Sequence, residues 1–210
     1  MSTLKAIADF FNPKRHYRRE VACFLDGEMN VLSLSSSNCG VEVEFDWFSI
    51  WDKIKSLKKY PSQVFMIHSH PPGFNRMSHT DRNMVNGWVA ALGIPIWYVI
   101  FVDGEYCHYL CQRIDKKLVV DYLGNSYGAF GLGEYQGEIL KMVIGGLSNS
   151  ERGFEDKVEL DSIAAEINSI FVHEKAESLN LKSDIPDETP DFYACEAEKR
   201  RKSFGHSLFV

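Results

Sequence analysis

The chain has 210 residues, 45% of them hydrophobic and 13% aromatic, which is enough to bury a sizeable core and excludes an extensively disordered polypeptide. Its net charge of -6 argues against nonspecific nucleic-acid binding as the main activity, because such binding needs a basic surface. No segment reaches the roughly 20 apolar residues of a membrane span, and the N-terminal segment carries its positive charge after a short apolar stretch, unlike a signal peptide. These properties predict a cytoplasmic protein without a membrane partner.

The five cysteines are odd in number and scattered, at Cys23, Cys39, Cys107, Cys111 and Cys195. Neither a disulfide framework nor a zinc-ribbon spacing emerges from them, which agrees with a reducing compartment. Cys107 and Cys111 lie four positions apart in a predicted strand, a separation of about 13 Å, so they cannot chelate one ion together. We expect both to be core residues.

The first part of the chain alternates predicted strands and helices. A hairpin over residues 20–25 and 30–34 turns at an Asp-Gly dipeptide, which is typical of tight turns. The alternating segment VEVEF, residues 41–45, predicts a further strand. Residues 46–59 have apolar side chains at helical spacing and lysines near the end, so they predict an amphipathic helix whose aromatic stripe, including Phe48, belongs to the core.

The next elements surround a histidine-containing turn. Residues 63–68 predict an apolar strand, and residues 78–92 predict a helix that ends at Gly93. The continuously apolar residues 96–102 predict a strand buried on both faces, which a second Asp-Gly turn joins to a final antiparallel strand over residues 106–113. The predicted fold class is α+β, with a mixed β-sheet sandwiched by helices.

The second half has weaker patterns. Residues 124–153 are rich in glycine and predict a loop or an irregular platform, with a short strand or helix over 138–144. Residues 156–181 predict a helix with one apolar face, and the acidic, proline-bearing residues 184–191 predict a linker. The predicted organisation is an N-terminal segment (1–16), a first domain (17–123), an extension (124–183) and a linker with a tail (184–210).

One motif carries chemistry: HSHPPGFNRMSHTD, which contains His68, His70, Ser78 and Asp81. Histidines two residues apart point to the same side of a strand, whereas they cannot share a helix face. The predicted helix near Ser78 would carry Asp81 back toward them. Two imidazole nitrogens and one carboxylate oxygen leave a fourth tetrahedral position open, as in a catalytic zinc site. The alternative is structural, namely a strand-end histidine pair and a capped helix start.

The spacing H-S-H-x7-S-x2-D resembles the signature of the JAMM metalloproteases, also called the MPN+ or JAB family. The resemblance extends over residues 17–115. It implies that His68, His70 and Asp81 bind zinc and that Ser78 helps to hold a tetrahedral intermediate. The family fold is similar in topology to that of cytidine deaminases, but the P-C-x-x-C element of the deaminases is missing from this chain.

The resemblance also implies a glutamate at the start of the first strand, followed by small or apolar residues and a glycine. Glu20 in EVACFLDG fits this description. Glu28 is the next candidate, whereas Glu42 and Glu44 flank Val43 in an alternating segment that would turn them toward water. As the general base, Glu20 would take a proton from the attacking water and later hand it to the leaving nitrogen.

The activity that the resemblance implies is hydrolysis of a peptide or isopeptide bond with Zn²⁺ as the cofactor. The expected substrate is the C-terminal tail of a ubiquitin-like or precursor protein. The stretch between Asp81 and Pro95 is too short for the flap that is inserted in eukaryotic deubiquitinases, so the chain resembles the compact prokaryotic or phage branch. Two alternatives stay open: a scaffold that uses the fold mainly for protein interaction, and a phage or bacterial tail-assembly protein.

Overall fold

A computed structural model describes residues 19–37, 43–126, 134–150, 154 and 156–183, with side chains for all of these except 126, 134 and 174–183. The predicted segments 1–16 and 184–210 lie outside the described residues. Within the described part, the elements are β1 (Val21–Leu25), β2 (Val31–Ser36), α1 (Trp47–Ser56), β3 (Val64–Ser69), α2 (His79–Leu92), β4 (Ile96–Val102), β5 (Glu105–Ile114), β6 (Lys117–Ser126), α3 (Glu134–Asn149) and α4 (Lys157–Ser183). Contacts divide the chain into two compact units, residues 1–172 and 173–210, and the sheet lies in the first unit.

The six strands form one mixed sheet in the order β2-β1-β3-β4-β5-β6. β3 and β4 run parallel and are connected through α2, whereas every other neighbouring pair is antiparallel. The predicted β1-β2 and β4-β5 hairpins are confirmed, and so is the predicted end of α2, because Gly93 adopts a left-handed conformation there with φ of 68°. The α+β class with a mixed sheet is therefore confirmed.

Helices cover both faces of the sheet. On one side, which we call the α3/α4 face, Cys23 and Ile67 pack with apolar residues of α3 and α4. On the other side, the α1/α2 face, Phe24 and Met66 pack with residues of α1 and α2. Successive side chains of a strand point to opposite faces, so the residues of β1 and β3 are divided between two cores. The same alternation sends His68 to the α1/α2 face.

The strand predicted over residues 41–45 is wrong for its described part, because residues 43–45 have no strand conformation. Phe45 is buried in the core of the α1/α2 face, with its ring centroid 6.3 Å from that of Phe24. An alternating sequence pattern indicates a segment with one buried side and one exposed side. A segment that packs against a core has these two sides even where it does not pair with a strand.

The helix predicted over residues 46–59 is confirmed as the shorter α1, but part of its predicted core stripe is wrong. Ile50 and Ile54 are fully buried, whereas Phe48 is 85% exposed. Phe48 lies two positions before Ile50, which is about 200° around the helix axis, so the two side chains point in nearly opposite directions.

The strand β6 was absent from the prediction, which ended the sheet at residue 113. A two-residue turn joins β5 to β6, and both of its residues have positive φ, 50° at Asp115 and 65° at Lys116. Such turns favour glycine or asparagine, so an Asp-Lys pair gives little signal in the sequence. Cys107 and Cys111 on β5 are buried in the α1/α2 core, which confirms their predicted role; Cys39 and Cys195 lie outside the described residues.

Within the loop predicted over residues 124–153, the helix alternative for residues 138–144 is confirmed, but the helix α3 is longer and extends over residues 134–149. This helix contains Gly137, Gly145 and Gly146, each of which costs about 1 kcal/mol relative to alanine in a helix interior. Burial outweighs that cost, because α3 places five apolar residues in the core of the α3/α4 face: Ile139, Leu140, Val143, Ile144 and Leu147. Tertiary packing therefore decides the conformation of α3.

The helix predicted over residues 156–181 is confirmed as α4. Its buried residues, including Ile163 and Ile167, share one core with α3, β1 and β3. Residues before and after the domain boundary predicted at residue 123 therefore share one core. The division of the chain into a first domain and an extension stays a prediction. Among the described residues, no helix has the length and hydropathy that a bilayer span requires.

Candidate metal centre

Two histidines come from the end of β3, beside the parallel strand β4. The backbone N–H of His70 donates to the carbonyl of Phe101 at 3.0 Å, so the pairing with β4 continues one residue beyond β3. The rings of His68 and His70 lie on the same side of the strand, with their centroids 4.4 Å apart. Both side chains are buried. The strand therefore brings two buried imidazoles to the same place.

Asp81 lies in the first turn of α2, where it also takes part in capping the start of the helix. Ser78 caps the helix: its hydroxyl accepts from the N–H of Asp81 at 3.1 Å, and its own N–H donates to Oδ2 of Asp81 at 2.6 Å. This reciprocal capping fixes the carboxylate. The same carboxylate faces both imidazoles, with Oδ1 3.6 Å from Nε2 of His68 and Oδ2 3.4 Å from Nε2 of His70.

The three side chains have the chemistry and the spacing of a metal site. One ligand atom from each of His68, His70 and Asp81 lies within 4.8 Å of the other two. Ligand atoms about 2.0–2.2 Å from a tetrahedral zinc ion lie roughly 3.3–3.6 Å from one another, and the 4.8 Å limit of this group needs only a small adjustment to reach that spacing. This buried group could therefore hold a metal ion.

The ring of His70 is held in the orientation that a metal ligand needs. Its Nδ1 lies 2.8 Å from the carbonyl oxygen of Phe74, and because a carbonyl can only accept, Nδ1 carries the proton and donates. The loop that supplies this carbonyl is tied down by a hydrogen bond from the N–H of Gly73 to Asp103. A histidine that donates one ring N–H to a carbonyl presents the other nitrogen to a metal.

In the metal-free site, the surroundings shift the pKa values of the two imidazoles in opposite directions. Burial, and then the charge of His70, lowers the pKa of His68 to about 3, so His68 is neutral at pH 7. Burial opposes the charged form of His70 as well, but hydrogen bonds to Asp81 and to the Phe74 carbonyl outweigh it and raise the pKa of His70. Although burial also acts against the ionised form of Asp81, the imidazoles and Ser78 hold the pKa of Asp81 well below its usual value.

Glu20 lies immediately before β1 and lines the same cleft as the three candidate ligands. Its backbone is held twice by Ser37, whose hydroxyl accepts from the N–H of Glu20 at 3.1 Å and whose N–H donates to the Glu20 carbonyl at 2.9 Å. The side chain is only 8% exposed, and its negative charge contributes to the raised pKa of His70. Glu20 is therefore a buried carboxylate beside the site that takes no part in the candidate ligand group.

The other glutamates lie elsewhere. Glu28 is in the turn beyond the opposite end of β1, is exposed, and lines a different, smaller pocket. Glu44 lines the cleft but is exposed, and Glu42 lies outside the described residues. The length of β1 separates Glu20 from Glu28, so only one of them reaches the metal-binding end of β3.

A cleft of about 910 Å³ opens above the candidate metal site. Its lining combines the site residues with an apolar wall, which consists of Val43, Phe45, Trp47, Pro71, Phe74 and Met84. Two glutamates and Asp81 are the charged residues among the described lining, apart from the imidazoles. A cleft of this size and character accepts a segment of a chain or a small organic molecule.

The sequence analysis missed Tyr98, a fully buried residue of β4. Its hydroxyl lies 2.7 Å from Nδ1 of His68. The only signal for it is the pairing of β3 with β4, in which Tyr98 stands opposite Met66, two residues before His68. That register is not readable from a continuously apolar strand.

The structure thus brings His68, His70, Ser78, Asp81 and Glu20 to one cleft, and the roles that the motif and the resemblance give them stay predictions. Comparisons with protein-family models, with curated proteins and with solved structures found no match to this chain. The motif and the geometry of the site are therefore the features that indicate a function.

Proposed function

We propose that this chain is a zinc-dependent metallopeptidase with the topology and site of the JAMM/MPN+ type, which hydrolyses a peptide or isopeptide bond. The observation that carries the proposal is the buried group of His68, His70 and Asp81 with the carboxylate of Glu20 in the same cleft. A structural zinc site is closed by four protein ligands, whereas a three-ligand set leaves room for water and substrate. The division into three ligands and one nearby carboxylate is what a hydrolytic site requires.

His68, His70 and Asp81 would hold the ion in this proposal. Zinc in such a site supplies a water of lowered pKa and polarises the substrate carbonyl. The neutral state of His68 suits this role, because it retains a nitrogen lone pair for binding. The capping hydrogen bonds from Ser78 keep the carboxylate of Asp81 in place, so the helix that carries it is also part of the site.

Glu20 is the proposed general base and acid. Its carboxylate accepts a proton from the attacking water and returns that proton to the leaving nitrogen. Ser78 accepts a hydrogen bond from the Asp81 N–H and retains its own O–H to donate. Directed at the carbonyl oxygen, that O–H stabilises the negative charge that develops in the transition state.

The proposed substrate is the extended C-terminal tail of a ubiquitin-like or precursor protein. The cleft is open and about 910 Å³ in volume, which suits an extended segment better than a folded one. The apolar wall provides area for the uncharged side chains of such a tail. Glutamates in the lining disfavour an acidic sequence next to the scissile bond, so we expect neutral or basic residues there.

The test combines zinc content with cleavage of a panel of ubiquitin-like fusions by the full chain. Glu20→Gln should retain zinc and lose activity by about 10²–10⁴-fold, because it removes a proton acceptor and leaves the candidate ligands intact. Glu28→Gln is the matched control, since Glu28 is exposed and lies beyond the opposite end of β1, and it should stay within a few fold of the parent chain. A parent chain that binds no zinc, or a Glu20→Gln variant that cleaves as fast as the parent, would contradict the proposal.

A further inference from the structure

Tyr98 is a fully buried residue of β4, the strand that pairs with the metal-binding strand β3. Its ring centroid is 5.3 Å from that of His68, with an interplanar angle of 76°. Tyr98 has no exposed surface and His68 is 3% exposed. A polar group buried to this degree needs a hydrogen-bond partner inside the protein, because leaving it unpaired costs its full desolvation.

The hydrogen-bond geometry assigns the two nitrogens of His68 to different tasks. Nε2 faces Oδ1 of Asp81 at 3.6 Å, so it is the nitrogen directed toward the candidate metal position. Nδ1 lies 2.7 Å from the hydroxyl oxygen of Tyr98. A neutral imidazole that binds a metal through Nε2 carries its proton on Nδ1, and this N–H needs an acceptor. The phenol oxygen of Tyr98 is placed to be that acceptor.

The phenol oxygen of Tyr98 is closer to one nitrogen of His68 than to the other. It lies 2.7 Å from Nδ1 and 3.4 Å from Nε2, so Nδ1 is its hydrogen-bond partner. A phenol that accepts a hydrogen bond from Nδ1 still has its own O–H to donate.

We propose that Tyr98 is a positioning residue of the metal site, which holds His68 in the tautomer that presents Nε2 to the metal. This inference rests on the metal site of the proposed function, but it does not depend on the peptidase activity. Tyr98 contacts His68 and is absent from the cleft lining, so its effect is on metal affinity and not on contact with substrate.

The experiment compares zinc affinity in the full chain and in two phenylalanine variants, by competition with a chromophoric chelator. Tyr98→Phe should weaken zinc binding by about 10–100-fold, the usual cost of losing a partner that orients a ligand. Tyr106→Phe is the matched control, because Tyr106 is also fully buried and its hydroxyl donates to the Gly137 carbonyl at 2.9 Å, on the α3/α4 face. Both variants should unfold at a lower temperature, but only Tyr98→Phe should bind zinc more weakly.

Equal zinc affinity in the parent and Tyr98→Phe chains would overturn the inference and leave the proposed function standing, whereas a parent that binds no zinc would remove both. A second measurement needs no variant. In the zinc-loaded parent, ¹⁵N chemical shifts of the His68 imidazole should show a protonated Nδ1 and a metal-bound Nε2. Metal bound through Nδ1 would overturn the inference even where Tyr98→Phe fails to fold.

Discussion

Neighbouring residues of β3 serve two regions of opposite character. On the α3/α4 face, Ile67 is fully buried among apolar side chains, and the hydroxyl of Ser69 accepts from the N–H of Val21 at 2.9 Å and from Ser148 at 3.1 Å. On the α1/α2 face, His68 lies beneath an open cleft with a carboxylate and a phenol as neighbours. The same strand therefore contributes to a closed core on one side and to a buried polar cluster on the other. Polar residues of β3 support the fold on one face and contribute to the candidate metal group on the other.

The largest effect is expected on zinc affinity, from removing a candidate metal ligand on the α1/α2 face. His70→Ala removes one of three ligands and should weaken zinc binding by more than about a hundredfold. Circular dichroism of the metal-free variant should still show the parent content of helix and strand, because His70 lies outside the two apolar cores. Zinc affinity within a few fold of the parent chain would contradict the assignment of His70.

The next effect is on the closed face. Ile67→Ala leaves a cavity at a fully buried position and should lower the free energy of unfolding by about 2–5 kcal/mol in a denaturant titration. The folded variant should bind zinc with parent affinity, although Ile67 adjoins His68 in sequence. A large loss of zinc affinity with little loss of stability would contradict this prediction, because it would show that a core residue of the α3/α4 face controls the candidate metal site on the α1/α2 face.

Ser69 tests whether the middle residue of the His-Ser-His motif is structural. Ser69→Ala leaves the buried N–H of Val21 without its acceptor and should lower the free energy of unfolding by about 1–3 kcal/mol. Ser148→Ala is the control, since it removes only a donor to Ser69 and should cost less. If Ser148→Ala lowers the free energy of unfolding more than Ser69→Ala does, the structural role assigned to the Ser69 hydroxyl is wrong.

A pH-dependent effect is expected from a second buried imidazole, His108 on β5, which lies on the α3/α4 face with its ring centroid 6.1 Å from that of Tyr106. Burial lowers the pKa of His108 to about 4, whereas an unfolded histidine has a pKa near 6.5. Between these values only the unfolded chain takes up the proton, so the contribution of His108 to stability is complete above pH 6.5 and is lost as the pH falls toward 4.

The slope expected from His108 is at most about 1.4 kcal/mol per pH unit. The measurement is the free energy of unfolding of the metal-free chain at several pH values, in the parent and in His108→Gln. The difference between the two should be constant above pH 6.5 and should change below it. Parallel pH profiles would show that His108 does not carry this dependence.

The predictability of the site follows the distance in sequence between its parts. His68, His70 and Asp81 are joined by one turn and one helix start, so short-range geometry was enough to predict that they converge. Glu20 lies on another strand, and its position could be inferred only from the resemblance. Tyr98 depends on the register of β3 against β4, which a run of apolar residues does not specify.

The same distinction holds for the fold. β1 to β5 and the helices α1, α2 and α4 have local signals such as apolar periodicity, Asp-Gly turns and capping residues. β6 follows a turn without glycine, and α3 contains three glycines, so in both places local preference points away from the observed structure. Packing decided these elements, because burying a continuous apolar face outweighs local costs of about 1 kcal/mol per residue.

By itself, the sequence determined the α+β class, the alternation that divides β3 between two faces, and the three candidate metal ligands, because each depends on residues close together in the chain. Only the tertiary structure decided which glutamate lies beside those ligands, that a tyrosine contacts His68 from a neighbouring strand, and that the glycine-rich segment covers the opposite face. These are contacts between distant segments, and the pairing of strands and the filling of a core select them together.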